Sequence, residues 1–132
     1  MITVLDANAA VRFALGQTGR EPVAEILKKA DWVVAPSLYL YEIANVMWKY
    51  YQAGTLSQEA LKEKTLNCAG LIDELFPAAD LYAECFDLAC RLSHPAYDMA
   101  YLALCQKKEA GLISFDRKML DMAQKLNIVC YP

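Results

Sequence analysis

Met1–Asn8, MITVLDAN, is the stretch whose reading decides the fold. Ile2, Thr3, Val4 and Leu5 form a short run, rich in β-branched residues and lacking a polar face. That pattern belongs to a strand buried on both sides, the usual state of a central strand in a parallel sheet covered by helices. The run stops at Asp6, and Asn8 follows before a new apolar segment. An acid at the carboxyl end of such a strand lies at the edge where open α/β sheets bind ligands. Aspartate is also a favoured helix N-cap, so Asp6 alone leaves two readings open.

Outward from this strand, helical and strand patterns alternate. A helix is predicted over Ala7–Leu15, broken at Gly16 and Gly19, and a second is opened by Glu21 and Pro22 and runs to about Ala30. Trp32–Ala35 reads as a strand stopped by Pro36, after which Ser37 caps a long helix, Leu38–Ala53, ended by Gly54. Ser57 opens a fourth helix to about Gly70 or Glu74, and Glu74–Pro77 is a candidate edge strand. A helix over Leu81–Leu92 gives way at His94-Pro95 to another over Ala96–Glu109. Leu112–Ser114 is a fourth strand, Asp116–Leu126 a last helix and Ile128–Cys130 a last strand. The class is therefore α/β with a mostly parallel sheet and helices on both faces.

Composition sets the outer bounds. At 132 residues, with 57% hydrophobic and 22% charged residues, the chain suits one compact domain and excludes disorder. Its longest uncharged stretch, Trp32–Tyr41, is too short to span a bilayer and contains Pro36. Asp6 interrupts any basic-then-apolar leader pattern, which points to the cytoplasm. Five cysteines without a C-x-x-C pair, beside the single His94, exclude zinc spacing and read as reduced thiols. A net charge of −3 argues against a basic nucleic-acid grip over the whole surface.

Three further acids stand where a site would gather. Glu42 lies in a helix crowded with Leu38, Leu40, Ile43, Val46, Met47 and Trp48, which implies a mostly buried helix with one polar face. Asp98 sits in the first turn of the helix opened by Pro95 and heads an inward stripe of Tyr101, Leu102 and Cys105. Asp116 repeats the arrangement of Asp6: strand, acid, helix. Each has a plainer reading, as cap, dipole partner or solvated charge. Carboxylates gathered together repel and favour a hard cation such as Mg²⁺ or Mn²⁺, which could activate water against a phosphodiester. No serine triad competes, because Ser93 beside His94 is not a dyad.

VLDAN, the Glu42 helix, HPAYDMAYLALC around Asp98 and LISFDRKM around Asp116 together resemble the PIN-domain nucleases, and most closely the VapC-like ribonuclease toxins of toxin–antitoxin pairs. The resemblance covers nearly the whole chain and rests on four motifs in order. It implies a single PIN domain over residues 1–132 with sheet order 3-2-1-4-5. It also implies an acidic catalytic site of Asp6, Glu42, Asp98 and Asp116. Asp6 and Asp98 would be the principal metal ligands, Asp116 would complete the set directly or through water, and Glu42 would help hold metal or orient the attacking water. Asn8 and Ser114 match supporting positions, with serine where the family often has threonine. The implied partners are an RNA substrate, a cognate antitoxin and a second copy of the chain.

Among cations, Arg12, Lys49, Arg91, Arg117 and Lys118 are candidates for phosphate contacts, with Arg12 and Arg117 foremost. Tyr39, Tyr41, Trp48, Tyr50 and Tyr51 read mainly as core. Two other functions fit less well. One is a catalytically silent binding module with the same fold. The other is an aspartate-based phosphotransferase, whose pattern wants a second acid at the position of Asn8.

Overall fold

The computed structural model describes residues 1–131. Five strands form one sheet in the order β3-β2-β1-β4-β5. They are β1 (Ile2–Leu5), β2 (Trp32–Pro36), β3 (Glu74–Phe76), β4 (Gly111–Ile113) and β5 (Cys130–Tyr131). All four pairings are parallel, with Val4 opposite Val34 on one side and Leu112 on the other. The sheet, expected to be mostly parallel, is parallel throughout.

Side chains of successive strand residues point to opposite faces. Thr3, Val4 and Leu5 are nonetheless all fully buried, as are Val34 and Ala35, so both faces of the central strands are covered. The covering helices are α1 (Ala7–Ala14), α2 (Arg20–Lys29), α3 (Leu38–Gln52), α4 (Gln58–Gly70), α5 (Tyr82–Leu92), α6 (Ala100–Lys108) and α7 (Arg117–Lys125). Helix α6 packs on β1, β2 and β4 and is buried continuously from Ala100 to Cys105. No helix among the described residues is long and apolar enough to cross a membrane.

Three local expectations need correction. The helix expected over Ala96–Glu109 is two elements: a 3₁₀ turn, Ala96–Met99, followed by α6. Pro95 fixes its own φ at −55°, and its carbonyl accepts the Asp98 N–H at 3.2 Å, closing a tight i to i+3 turn. Asp98 therefore lies within a 3₁₀ turn rather than in the first turn of an α-helix, and its side chain is 42% exposed rather than buried. Helix α3 is not mostly buried: Tyr39, Ile43 and Met47 face inward, whereas Tyr41 and Trp48 are 80% and 54% exposed. Hydrophobic content alone overstated its burial, because only the i, i+4, i+8 row meets the core. Of the five aromatic residues assigned there to the core, Tyr39 is buried, Tyr50 half-buried and the rest exposed.

The strand order creates a switch point. The chain leaves β1 for β2 on one side, while β4 lies on the other, so the connections after β1 and β4 diverge. Ligands bind at such crevices beyond the carboxyl ends of the strands. Asp6 follows β1 and Asp116 follows β4 by three residues, which puts both acids at this crevice.

Candidate active site

Asp6 is positioned by the sheet itself. Its N–H donates to the Ile113 carbonyl at 3.0 Å, continuing the β1–β4 ladder one residue beyond the strand. Its side chain makes no capping bond to α1. Instead Oδ2 accepts a hydrogen bond from Ser114 Oγ at 2.8 Å. Its main side-chain partner is thus Ser114, with a weaker contribution from the Asn8 backbone N–H of α1. Asp6 is only 5% exposed, and its pKa rises from the ordinary 3.8 to about 6. Burial is the main cause; the Ser114 hydrogen bond opposes it, and the charges of Glu42 and Asp116 add to the rise.

Ser114 works in two directions. While its hydroxyl donates to Asp6, the oxygen accepts the Asp116 N–H at 3.0 Å. Asp116 in turn caps α7, with Oδ1 accepting the Met119 N–H at 3.2 Å. One Asp116 oxygen is thus engaged in capping, so the structural and site readings of this residue are compatible. Glu42 reaches the crevice from α3. Its Oε1 accepts a 2.6 Å hydrogen bond from the buried Tyr101 hydroxyl of α6. Burial again raises the Glu42 pKa, the Tyr101 bond opposes this, and Asp98 and Asp116 raise it further. Asp98 enters from the 3₁₀ turn, with Oδ2 lying 3.2 Å from His94 Nε2.

All four acids line one cleft of about 780 Å³, together with Asn8, His94, Tyr101, Lys49 and Lys118. The expected acids are therefore brought together, along with exposed Asn8 at the mouth. Arg12 and Arg117 are not among the lining residues. Arg12 stacks over the Phe115 ring at 4.3 Å and donates to the Thr18 carbonyl at 3.3 Å, which makes it part of the scaffold. The cations that face the acids are Lys49 and Lys118.

Tyr101 and His94 were not legible as site residues. Tyr101 sits in the apolar run of α6, and nothing in that run distinguishes a phenol that packs from one that reaches a carboxylate. The one available cue is that a buried tyrosine hydroxyl needs a polar partner.

The sequence profile of the PIN domain matches residues 3–125. The chain belongs to the PIN-domain family. It is 27% identical to Ribonuclease VapC3 of Pyrobaculum aerophilum over 127 residues, which cover 92% of this chain and 94% of that one. Among solved structures, it resembles PAE2754 from Pyrobaculum aerophilum with a TM-score of 0.76 and 18% identity, over 98% of this chain and 83% of that one. VapBC2 from Rickettsia felis, solved with a DNA fragment from its promoter, matches with a TM-score of 0.67 and 16% identity over the full length of both chains. At these identities the solved structures speak for the PIN fold alone.

A divalent cation can be tested against this PIN-domain cleft. Its donors are carboxylate oxygens, the ligands that hard cations take, and repulsion from neighbouring acids adds to the burial that raises the pKa values of Asp6 and Glu42. Among the described residues, no three Asp, Glu, His or Cys side chains are gathered closely enough to hold an ion unaided. Mg²⁺ usually keeps several waters and needs only one or two carboxylates besides its substrate, so a spaced donor set in an open cleft fits it. The residues present suit such an ion with water completing its shell.

Proposed function

We propose that this PIN domain, spanning residues 1–132, is a metal-dependent endoribonuclease that acts as the toxin of a toxin–antitoxin pair. The observation that carries the reading is Asp6: a buried carboxylate at the switch point, bonded to Ser114, with Glu42, Asp98 and Asp116 around the same cleft. The similarity to a named ribonuclease over nearly the whole chain supports the reaction class. The toxin–antitoxin setting is taken from that same relative, a VapC protein. A cytoplasmic homodimer inhibited by its antitoxin is the working form.

In this reading Asp6 and Asp98 would be the principal ligands of Mg²⁺ or Mn²⁺, with Asp116 completing the set directly or through water. The ion would supply charge neutralisation at the phosphodiester and a more acidic water. Glu42, whose raised pKa makes it a better base, accepts the proton of the attacking water. Tyr101 holds Glu42 in place, and Ser114 fixes the Asp6 carboxylate. Lys49 and Lys118, which line the cleft, contact phosphates of the bound strand.

The test is RNA cleavage by purified protein with and without Mn²⁺, beside Asp6→Asn and Asp98→Asn. Metal-dependent cleavage lost in both variants is expected; undiminished cleavage by both overturns the assigned site. The lack of a ready three-ligand cage is also what a catalytically silent binding module would have. Calorimetry separates the two, because a silent module binds the antitoxin without binding Mn²⁺.

A further inference from the structure

His94 is the single histidine of the chain. It lines the acidic cleft, where it is the one ring nitrogen among the carboxylates of Asp6, Glu42, Asp98 and Asp116. Its Nε2 lies 3.2 Å from Asp98 Oδ2, and the two side chains are 26% and 42% exposed. Both therefore stay open to the cleft. Among the described residues no lysine or arginine pairs with Asp98, so His94 is the group that meets its carboxylate.

The spacing suits a shared ion. Two donors at right angles, each about 2.1 Å from an octahedral cation, stand about 3 Å apart. The His94–Asp98 separation matches that distance.

The pair is also carried on a stiff support. Helix α5 ends at Ser93, whose φ of 52° and ψ of 53° reverse the chain in the left-handed region. The His94 N–H then reaches back to the Ala89 carbonyl at 3.2 Å, Pro95 fixes φ, and the Asp98 N–H closes on the Pro95 carbonyl. The 3₁₀ turn between them packs against α5. Two donors held by one closed turn lose little freedom when an ion joins them.

A nitrogen donor changes which ion is favoured. Mg²⁺ takes oxygen ligands and gives up its waters reluctantly, whereas imidazole nitrogen suits first-row transition ions. Carboxylates alone serve Mg²⁺ and Mn²⁺ alike. Replacing one oxygen by the His94 nitrogen tilts the cleft away from Mg²⁺.

We propose that His94 Nε2 and Asp98 Oδ2 are adjacent ligands of one transition-metal ion, so that the cleft prefers Mn²⁺ to Mg²⁺. This rests on the metal-dependent reading of the cleft and adds a ligand and an ion preference to it.

The test uses the full chain without a histidine tag, labelled with ¹⁵N-histidine and loaded with Mn²⁺. Because His94 is the only histidine, any ¹⁵N-histidine coupling to the Mn²⁺ electron spin in pulsed electron paramagnetic resonance comes from that residue. Such a coupling is expected, and it needs no substitution to be seen. It should vanish in His94→Gln, and the preference for Mn²⁺ over Mg²⁺ in a competition titration should fall by about tenfold or more. Affinity for Mg²⁺ alone should change by less than about threefold, since that ion makes little use of the ring. Mn²⁺ bound without the coupling overturns the inference and leaves His94 as a hydrogen-bonding partner of Asp98. A chain that binds no Mn²⁺ overturns the metal-dependent reading and this inference with it. The coupling in a protein that cuts no RNA sustains the ligand assignment and refutes the nuclease reading alone.

Discussion

The Tyr101 hydroxyl donates a 2.6 Å hydrogen bond to Glu42 Oε1, joining α6 to α3 across 59 residues of sequence. The phenol is buried in a helix that is otherwise apolar from Ala100 to Cys105, and this bond gives its hydroxyl a polar partner. The bond holds the carboxylate at the cleft and opposes the rise that burial imposes on its pKa.

Tyr101→Phe removes one oxygen and leaves the packing in place. If Glu42 handles the attacking water, kcat should fall by about tenfold or more while KM changes little, the pattern of a lost transition-state interaction. In a Glu42→Gln background the same change should cost almost nothing further, a non-additivity read from a double-mutant cycle. Additive losses would separate the two residues.

Asp6 makes stability depend on pH in a direction opposite to that of a salt-bridged acid. Its folded pKa is raised, to about 6 against 3.8, so the folded state holds a proton that the unfolded chain has released. Stability is therefore lost as pH rises from about 4 to about 6, by about 3 kcal/mol at 1.36 kcal/mol per unit. In metal-free buffer, Asp6→Asn should melt at a higher temperature than the native protein at pH 7, and this advantage should vanish below pH 4. Added Mn²⁺ should stabilise the native protein at pH 7 and leave Asp6→Asn unmoved. Thermal melts across pH, with and without the ion, check both statements.

Ser114 couples the two strand-end acids through one hydroxyl. Ser114→Ala removes the donor to Asp6 and the acceptor of the Asp116 N–H together. A loss of about 1–3 kcal/mol in stability is expected from the unsatisfied buried groups, with a sharp fall in cleavage. Ser114→Thr keeps the hydroxyl and should retain most activity. Chemical denaturation and single-turnover cleavage measure the two effects separately.

The basic residues divide by placement. Lys49→Ala and Lys118→Ala should each raise KM for RNA and reduce its salt dependence, because both line the cleft. Arg12→Ala should leave KM unchanged and lower stability by about 1 kcal/mol, since it removes the stack on Phe115 and the bond to the Thr18 carbonyl. A raised KM in Arg12→Ala would return that residue to the substrate path.

The sequence by itself determined the architecture. A β-branched run with no polar face can only be satisfied between two helical layers, and regular alternation of strands with helices then dictates parallel pairing. The acids Asp6 and Asp116 were legible for the same reason: each follows a buried strand, so its height at the sheet edge is set by local sequence. Glu42 and Asp98 were found through their motifs, but their surroundings were not. Burial of α3 could not be judged from composition, because which helical row meets the core depends on the neighbouring helices. The turn at Pro95 replaced an expected first helical turn: the Pro95 carbonyl accepts the Asp98 N–H in an i to i+3 closure. Only the tertiary structure decided that Asp6 bonds Ser114, that Tyr101 meets Glu42, and that Lys49 and Lys118, not Arg12, line the cleft. Those are relations between side chains brought together from distant parts of the chain. Local periodicity fixes which way a residue points on its own element, and packing alone fixes what it meets there.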